Sequence, residues 1–312
     1  MNWVDWIKAI GMFLIVYGHT FPEKWSIYIY TFSVPLFFII SGFLSKREND
    51  YRVFWKKIFF NMILPVIIIV TFSFLYYTAK HLRAGDYDAF AIFKFFVGSL
   101  IGLQKYLGTC WFVYTLIVLK VLHQFTPPYC EKKLIMIILL VFSTAAIALS
   151  YYNCFLGNSL INVLISYPFF VFGNVLGKYK AQINNFHNRY IEILIFLLSI
   201  FFVYICAKYN GEVWVYINDY GNNFILYLLG GIFGFALVFV VSKWLNRVNW
   251  SIVHDISTGS ILILGFHLVL LGKVINYIGD SFITSVIILL VFVPVIRICK
   301  KYFPYILGIY RI

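Results

Sequence analysis

The sequence predicts an all-α bundle of about ten membrane-spanning helices, and three observations lead to this prediction. Of the 312 residues, 62% are hydrophobic and 12% are charged, whereas soluble domains are about half apolar and a quarter charged. The apolar residues form long runs, many of about 17 to 25 residues, the length that crosses a bilayer. Many Tyr and Trp residues lie near the ends of these runs, where amphipathic rings favour the headgroup region.

The apolar runs define the predicted spans. We expect them at 3–21, 26–44, 53–77, 111–125, 134–150, 160–176, 191–206, 224–241, 257–271 and 282–298. The apolar segment 90–103 is too short to cross and is predicted to lie at the interface or to re-enter the membrane. Because no Pro-, Gly- or Ser-rich linker separates a soluble part, residues 1–312 are interpreted as one membrane domain.

The distribution of charge predicts the orientation and limits the function. The net charge is +13, but the Lys and Arg residues fall in short clusters between alternate spans. Cytoplasmic loops are enriched in these residues, so we expect the clusters and both termini in the cytoplasm. The same clustering argues against nucleic-acid binding. The five cysteines are odd in number and widely spaced, so neither a disulfide framework nor a metal site is predicted.

The first span carries the most informative polar residues. Asp5, Lys8 and His19 lie within about 60° of one another on a helix, and Lys8 and His19 are separated by about 16 Å along its axis. Ionisable residues at membrane depth are costly and suggest a function. The alternatives are that Lys8 reaches the headgroups with Asp5 as its partner, and that His19 is a hydrated histidine at a helix end.

Further polar residues occur in later spans. Pro35 and the Ser41-Gly42 pair in the second span permit close helix approach. Lys56 and Lys57 begin the third span, where they suit phosphate groups, although orientation alone explains them. The other ionisable residues at membrane depth, each of which alone is better explained by packing, are Lys120 and His267.

Several short motifs point to one family. The first span has Asp5, Lys8, Gly11, Gly18, His19 and Thr20 in the pattern D-x-x-K-x-x-G, then G-H-T. The second has Phe32, Pro35, Leu36, Phe37, Phe38, Ser41, Gly42 and Phe43, with Ser33 where the pattern has histidine. Weaker matches are Trp111-Phe112, 167–173 and 260–267. The motifs resemble the acyltransferase 3 family of integral membrane O-acyltransferases, and most closely its fucose-4-O-acetylase-like branch.

This resemblance implies an activity. The expected enzyme takes an acetyl or longer acyl group from acetyl-CoA, its co-substrate, and transfers it to a sugar hydroxyl of a cell-surface polysaccharide or its lipid-linked precursor. It implies no bound cofactor and no metal. Its partners are acyl-CoA, the glycan or lipid-linked sugar acceptor and membrane lipid, and its location is the cytoplasmic (inner) membrane of a bacterium.

The resemblance also suggests roles for individual residues. His19 is the expected catalytic base, because imidazole accepts and returns a proton near neutral pH. Lys8, Lys56 and Lys57 are expected to hold the phosphates of coenzyme A at the cytoplasmic mouth. Asp5 is expected to position Lys8. The residues expected to line the path between these groups are Ser41, Trp111 and His267.

A secondary transporter is the alternative function. About ten spans, Pro35 and the Gly230-Gly231 pair also suit alternating access. Carboxylates that could couple to an ion are nearly absent from the spans, however, and no internal repeat is visible. The sequence therefore favours the enzyme.

Overall fold

A computed structural model describes residues 2–20, 25–85, 88–100, 108–126, 157–279 and 282–310. Within these residues no β-strand occurs beyond an isolated bridge between Trp214 and Asp219. The helices are α1 (Asn2–Gly18), α2 (Ser26–Leu44), α3 (Tyr51–Ile58), α4 (Leu64–Ala84), α5 (Ala89–Leu100), α6 (Trp111–Phe125), α7 (Gly157–Lys178), α8 (Lys180–Asn185), α9 (Arg189–Asn210), α10 (Phe224–Trp244), α11 (Ser251–Thr258), α12 (Ser260–Ile278) and α13 (Phe282–Tyr302). A π-helical turn, Phe59–Ile63, joins α3 to α4.

Eight segments of the described chain are long and apolar enough to cross a membrane. They are Ser26–Leu44, Tyr51–Ala84, Gly108–Phe125, Ile161–Lys178, Arg189–Asn210, Phe224–Arg247, Ser260–Ile278 and Phe282–Tyr302. Each corresponds to a predicted span, so the all-α polytopic architecture is confirmed. The helix α1 has 17 residues, or about 25 Å, and the predicted span at 134–150 lies outside the described residues.

Two predicted boundaries need correction. The third span is much longer than predicted, because α3, the π-helical turn and α4 form one continuous segment of 34 residues. The span predicted at 257–271 is interrupted, since α11 ends at Thr258 and α12 begins at Ser260. The Ile296 side chain of α13 occupies the space that a side chain at Gly259 would need. Close packing therefore accompanies this break.

The short segment after α4 is a separate helix, as its length predicts. Helix α5 has 12 residues, which span about 18 Å and are too few to cross the hydrocarbon core. It packs against α4 through aromatic pairs, with ring centroids of Tyr77 and Phe95 4.7 Å apart and those of Phe74 and Phe96 4.6 Å apart.

Helix α2 lies at the centre of the bundle, between α1, α7, α9 and α10. Its closest crossing is with α7, where Gly42 and Gly173 allow the two backbones to meet. A side chain at Gly42 would collide with the Phe170 carbonyl oxygen, and one at Gly173 with the Ile39 carbonyl oxygen. The predicted close approach at Ser41-Gly42 is therefore confirmed. It gives the bundle a rigid centre against which α1 and α6 pack.

Both ends of the chain meet at one end of the bundle, which we call the basic end. Asn2 donates to the main-chain oxygens of Asn246 and Val248, both at 2.8 Å. Near the other terminus, Gly308 lies against the main-chain oxygen of Asn61 in the π-helical turn. The basic end is the one predicted to face the cytoplasm. The opposite end, which contains Thr20 and the Trp214–Asp219 bridge, is called the outer end.

Candidate active site

A cavity of about 240 Å³ lies among α1, α2, the π-helical turn, α6 and α12. Its lining residues are Lys8, Met12, Ile15, Phe37, Ile40, Ser41, Asn61, Met62, Phe112, Val113, Leu116, Lys120, Ser260, Ile261 and Leu264. Most of them are apolar, as expected for a site that takes an organic chain. The polar ones are contributed by the parts of the helices nearest the basic end. No carboxylate is among these lining residues.

Two lysines face this cavity from different helices. Lys8 of α1 forms no hydrogen bond or ion pair within the described part of the chain, and the Nζ of Lys120 on α6 donates to the Ser45 hydroxyl at 3.2 Å. That hydroxyl in turn donates to the Ser41 main-chain oxygen at 2.7 Å. Both side chains line the same cavity, and none of its lining residues is acidic. Positive charge without a directly bonded carboxylate therefore lies at one end of the cavity.

Asp5 does not form the expected ion pair with Lys8. Its carboxylate instead accepts a hydrogen bond from the Ser257 hydroxyl at 2.5 Å, and the Nδ1 of His254 lies 3.3 Å away. Both partners belong to α11, so Asp5 fastens this short helix to α1. The negative charge of Asp5 still acts on Lys8 over a longer distance, but no direct contact positions the ammonium group.

Two histidines lie beyond the other end of the cavity. His19 follows the lining residue Ile15 by one helical turn, and His267 follows the lining residue Leu264. Their ring centroids are 4.9 Å apart and their planes are inclined by 73°. The sequence analysis identified each histidine separately, and the structure brings the two rings into contact. Lys8 therefore lies at one end of the cavity, and His19 lies one helical turn beyond the lining residue Ile15 at the other.

Main-chain carbonyls fix the tautomer of both rings. The Nδ1 of His19 lies 2.7 Å from the Ile15 oxygen, and the Nδ1 of His267 lies 2.9 Å from the Ile263 oxygen and 3.0 Å from the Leu264 oxygen. Carbonyl oxygens only accept hydrogen bonds, so each Nδ1 carries the proton. Each neutral ring then has its lone pair on Nε2. The Nε2 of His267 is buried without a partner, and such an atom calls for an explanation.

Asn61 is a lining residue that the sequence did not single out as functional. It lies in the π-helical turn, and its Oδ1 is buried without a hydrogen-bond partner. Single π-helical turns inside α-helices are frequent at functional sites. No local pattern in the sequence marks this turn. Lys120 was noted only as a buried lysine, and its place in the cavity depends on how α6 packs.

Besides Asp5, His19 and His267, three more of the predicted site residues lie outside the cavity lining. Lys57 forms an ion pair with Glu48 at 2.7 Å, and Lys56 is exposed on α3. Trp111 is buried at the start of α6, next to the lining residue Phe112. Of the residues predicted to hold the donor or line its path, the cavity lining therefore includes Lys8 and Ser41.

The support for α11 comes from a buried carboxylate outside the membrane-spanning segments. Asp255 accepts hydrogen bonds from Arg297 at 2.7 Å and from Lys300 at 2.6 Å. Burial of Asp255 acts to raise the pKa of its carboxyl, but the hydrogen bonds and charges of Lys300 and Arg297 outweigh it and lower the pKa below its usual value. This cluster holds α11, and with it the partners of Asp5, against α13.

Comparison with known proteins gives one result that bears on this site. The model of the acyltransferase 3 family, described as an acyltransferase domain, matches residues 1–299. Neither the comparison with curated proteins nor that with solved structures gives a match. The matched region contains every helix that forms the cavity and both histidines. The chain therefore belongs to the acyltransferase 3 family and is a membrane acyltransferase.

Proposed function

We propose that this acyltransferase moves an acetyl or longer acyl group from coenzyme A, bound from the basic end, to a sugar hydroxyl that enters from the outer end. The observation that carries the proposal is the cavity, which has at one end a lysine without a partner among the described residues and, one helical turn beyond its other end, two imidazoles in contact. Acyl-CoA has anionic phosphates at one end of a flexible arm and its reactive thioester at the other. The two ends of the path offer matching chemistry.

In this proposal His19 is the catalytic base. Its Nδ1–H is donated to the Ile15 oxygen, so Nε2 of the neutral ring can take the proton of the acceptor hydroxyl. The hydroxyl oxygen forms a bond to the thioester carbonyl carbon, and the carbon–sulfur bond breaks. The departing thiolate then receives the proton from His19, which leaves an ester, free coenzyme A and a neutral imidazole.

His267 has a supporting place in the same proposal. Because its Nε2 is a buried acceptor without a partner, it can accept a hydrogen bond from a substrate hydroxyl or from the thiol of coenzyme A. That bond would satisfy a group whose isolation is costly. We assign it to positioning the reacting groups beside His19.

The remaining residues bind the donor. Lys8 faces the cavity, and its charge suits a phosphate oxygen. Lys56 and Lys57 would meet the nucleotide part outside the cavity, although the ion pair of Lys57 with Glu48 has to open or be shared. Ser41 and Trp111 are proposed to border the path of the arm. Asp5 is proposed to act in two ways. It fastens α11 to α1, and its negative charge acts on Lys8 without direct contact.

The proposed acceptor is a polysaccharide or its lipid-linked precursor in the inner membrane of a bacterium. The motifs of the fucose-4-O-acetylase-like branch support this choice, because the enzymes of that branch esterify sugars. The transporter alternative has no comparable support, since the family is one of acyltransferases.

The test uses the purified chain in lipid nanodiscs with radiolabelled acetyl-CoA. Lipid-linked sugars extracted from bacteria that make acetylated polysaccharides serve as acceptor probes. We expect label to move to the sugar fraction with release of one free thiol for each ester formed. Folded protein that leaves the thioester intact with every acceptor, while binding the acceptor lipids, would contradict the proposal and favour transport.

A further inference from the structure

The two lysines of the cavity form an unexplained charge pair. Lys8 has no hydrogen-bonding or ionic partner among the described residues, and Lys120 has only the Ser45 hydroxyl. Both side chains line one cavity, and the lining residues include no carboxylate. Removing a charge from water without a counter-charge is costly. Two lysines that face one cavity without a directly bonded carboxylate therefore indicate that an anion belongs between them.

The protein groups around the lysines are suited to a phosphate-type ligand. Phosphate oxygens accept hydrogen bonds from ammonium groups and can also accept from the hydroxyl of the lining residue Ser41; the hydroxyl of Ser260, another lining residue, already donates to the Ser257 main-chain oxygen at 2.7 Å. Asn61, in the π-helical turn, lines the same cavity, and its Nδ2 amide can donate to a phosphate oxygen. Donors are thus contributed by α1, α2, the π-helical turn and α6.

We propose that Lys120 and Lys8 together bind a diphosphate ester inside the cavity. A diphosphate presents two linked phosphate groups, one for each ammonium group, whereas a phosphate monoester presents a single group. The site is distinct from the surface lysines of α3, which do not line the cavity. If the diphosphate is that of coenzyme A, the inference rests on the proposed function and adds Lys120 as the residue that distinguishes a diphosphate from a monophosphate.

The length of the path agrees with this placement. Lys8 and His19 are separated by eleven residues of α1, or about 16 Å. The extended pantetheine arm of coenzyme A covers a similar distance between its diphosphate and its sulfur. A diphosphate held by Lys8 and Lys120 would therefore bring the thioester to the histidine pair. A diphosphate-linked lipid sugar has the same charged group but no such arm, so the source can be distinguished by experiment.

The experiment measures ligand affinity of the full chain in nanodiscs by isothermal titration. The probes are coenzyme A, 4′-phosphopantetheine, which has the arm but only a monophosphate, inorganic pyrophosphate, and farnesyl diphosphate. The variants are Lys120→Met and Lys120→Arg. Lys46→Met is the matched control, because Lys46 is an exposed lysine near the end of α2 that does not line the cavity.

We expect Lys120→Met to weaken the binding of coenzyme A and of pyrophosphate by about 10- to 100-fold, as for the loss of a hydrogen bond to a charged group. The same variant should weaken the binding of 4′-phosphopantetheine by much less. The affinities of Lys120→Arg and Lys46→Met should stay close to those of the unmodified protein. Ser45→Ala removes the protein partner of Lys120. If Ser45→Ala reproduced the loss seen with Lys120→Met, Lys120 would have a structural role and the inference would be wrong.

The remaining outcomes separate this inference from the proposed function. Equal losses of coenzyme A and 4′-phosphopantetheine in Lys120→Met would refute the diphosphate site and leave the acyl-CoA donor in place. Binding of farnesyl diphosphate that depends on Lys120, without binding of coenzyme A, would support the diphosphate site and overturn the proposed donor. Unchanged binding of every probe in a folded Lys120→Met variant would refute the site outright.

Discussion

Replacing His19 by asparagine separates its proton transfer from its structural hydrogen bond. The amide of asparagine can take the place of the Nδ1–H and donate to the Ile15 oxygen, a bond of 2.7 Å in the structure. Asparagine has no group at the position of Nε2 and cannot accept a proton. His19→Asn should therefore fold normally and retain donor affinity, yet lose the catalytic base.

The expected loss is large. A positioned general base contributes about 10²- to 10⁴-fold to a rate, or roughly 2.7 to 5.4 kcal/mol of transition-state stabilisation. The hydrogen bond to the Ile15 oxygen contributes only about 0.5 to 1.5 kcal/mol to stability. His19→Ala should lose both contributions, and His19→Asn only the first. The two variants should thus share a rate defect and differ in melting temperature.

The assay follows free thiol release and label transfer from radiolabelled acetyl-CoA in nanodiscs, with donor affinity measured separately. His187→Asn is the matched control, because His187 is exposed in the connection before α9 and lies outside the site. A His19→Asn protein that binds the donor and transfers within threefold of the unmodified rate would refute the base assignment. His267, with its free Nε2, would then become the candidate base.

Four further predictions concern packing, polarity, pH and orientation. Gly173→Ala should destabilise the fold by about 1 to 3 kcal/mol, because the new methyl group meets the Ile39 backbone. In the control Gly272→Ala, the new methyl group meets no neighbour within 4 Å, so the melting temperature should change little. Asn61→Leu should raise the melting temperature, because it removes an unsatisfied buried oxygen that costs about 1 to 3 kcal/mol. The same variant should weaken the binding of coenzyme A. Unchanged binding would show that Asn61 is not part of the site. The pKa of Asp255 is lower in the folded chain than in the unfolded chain, where it is about 3.9. The ionised carboxylate therefore stabilises the fold above this pH, and the contribution is lost as the pH falls through the folded pKa. Below about pH 4, the melting temperature of Asp255→Asn should thus depend less on pH than that of the unmodified chain. A cysteine at position 50 should react with an impermeant reagent only from the cytoplasmic side, and labelling from outside in intact cells would reverse the predicted orientation.

The features that depend on one helix could be predicted from the sequence. Helical geometry alone placed Lys8 and His19 on one face, and the direction in which the cavity runs along α1 follows from it. Glycine in an apolar helix signals a close crossing, so the contact at Gly42 was also predictable. The composition was sufficient for the all-α fold, because long apolar runs have few alternatives in a bilayer.

The features that depend on several helices could not be predicted. The contact between His19 and His267 joins residues far apart in the chain, and it depends on how α1 and α12 rotate about their axes. Lys120 faces the cavity only because α6 packs with that side toward α2. The preference of Asp5 for Ser257 instead of Lys8 required the break at Gly259, which creates α11. Sequence periodicity carries no information about such relative rotations.

The placement of Lys8 and Lys120 on one cavity has a practical consequence for handling this protein. The residues that line this cavity include no carboxylate, and an anion that fits between the lysines can contact both of them only in the folded state. Ligands that bind only the folded state raise its stability by about 2.7 kcal/mol at a hundred times their dissociation constant. The melting temperature of the chain should therefore rise when such a ligand binds. A thermal screen of phosphorylated metabolites is then a direct way to search for its donor.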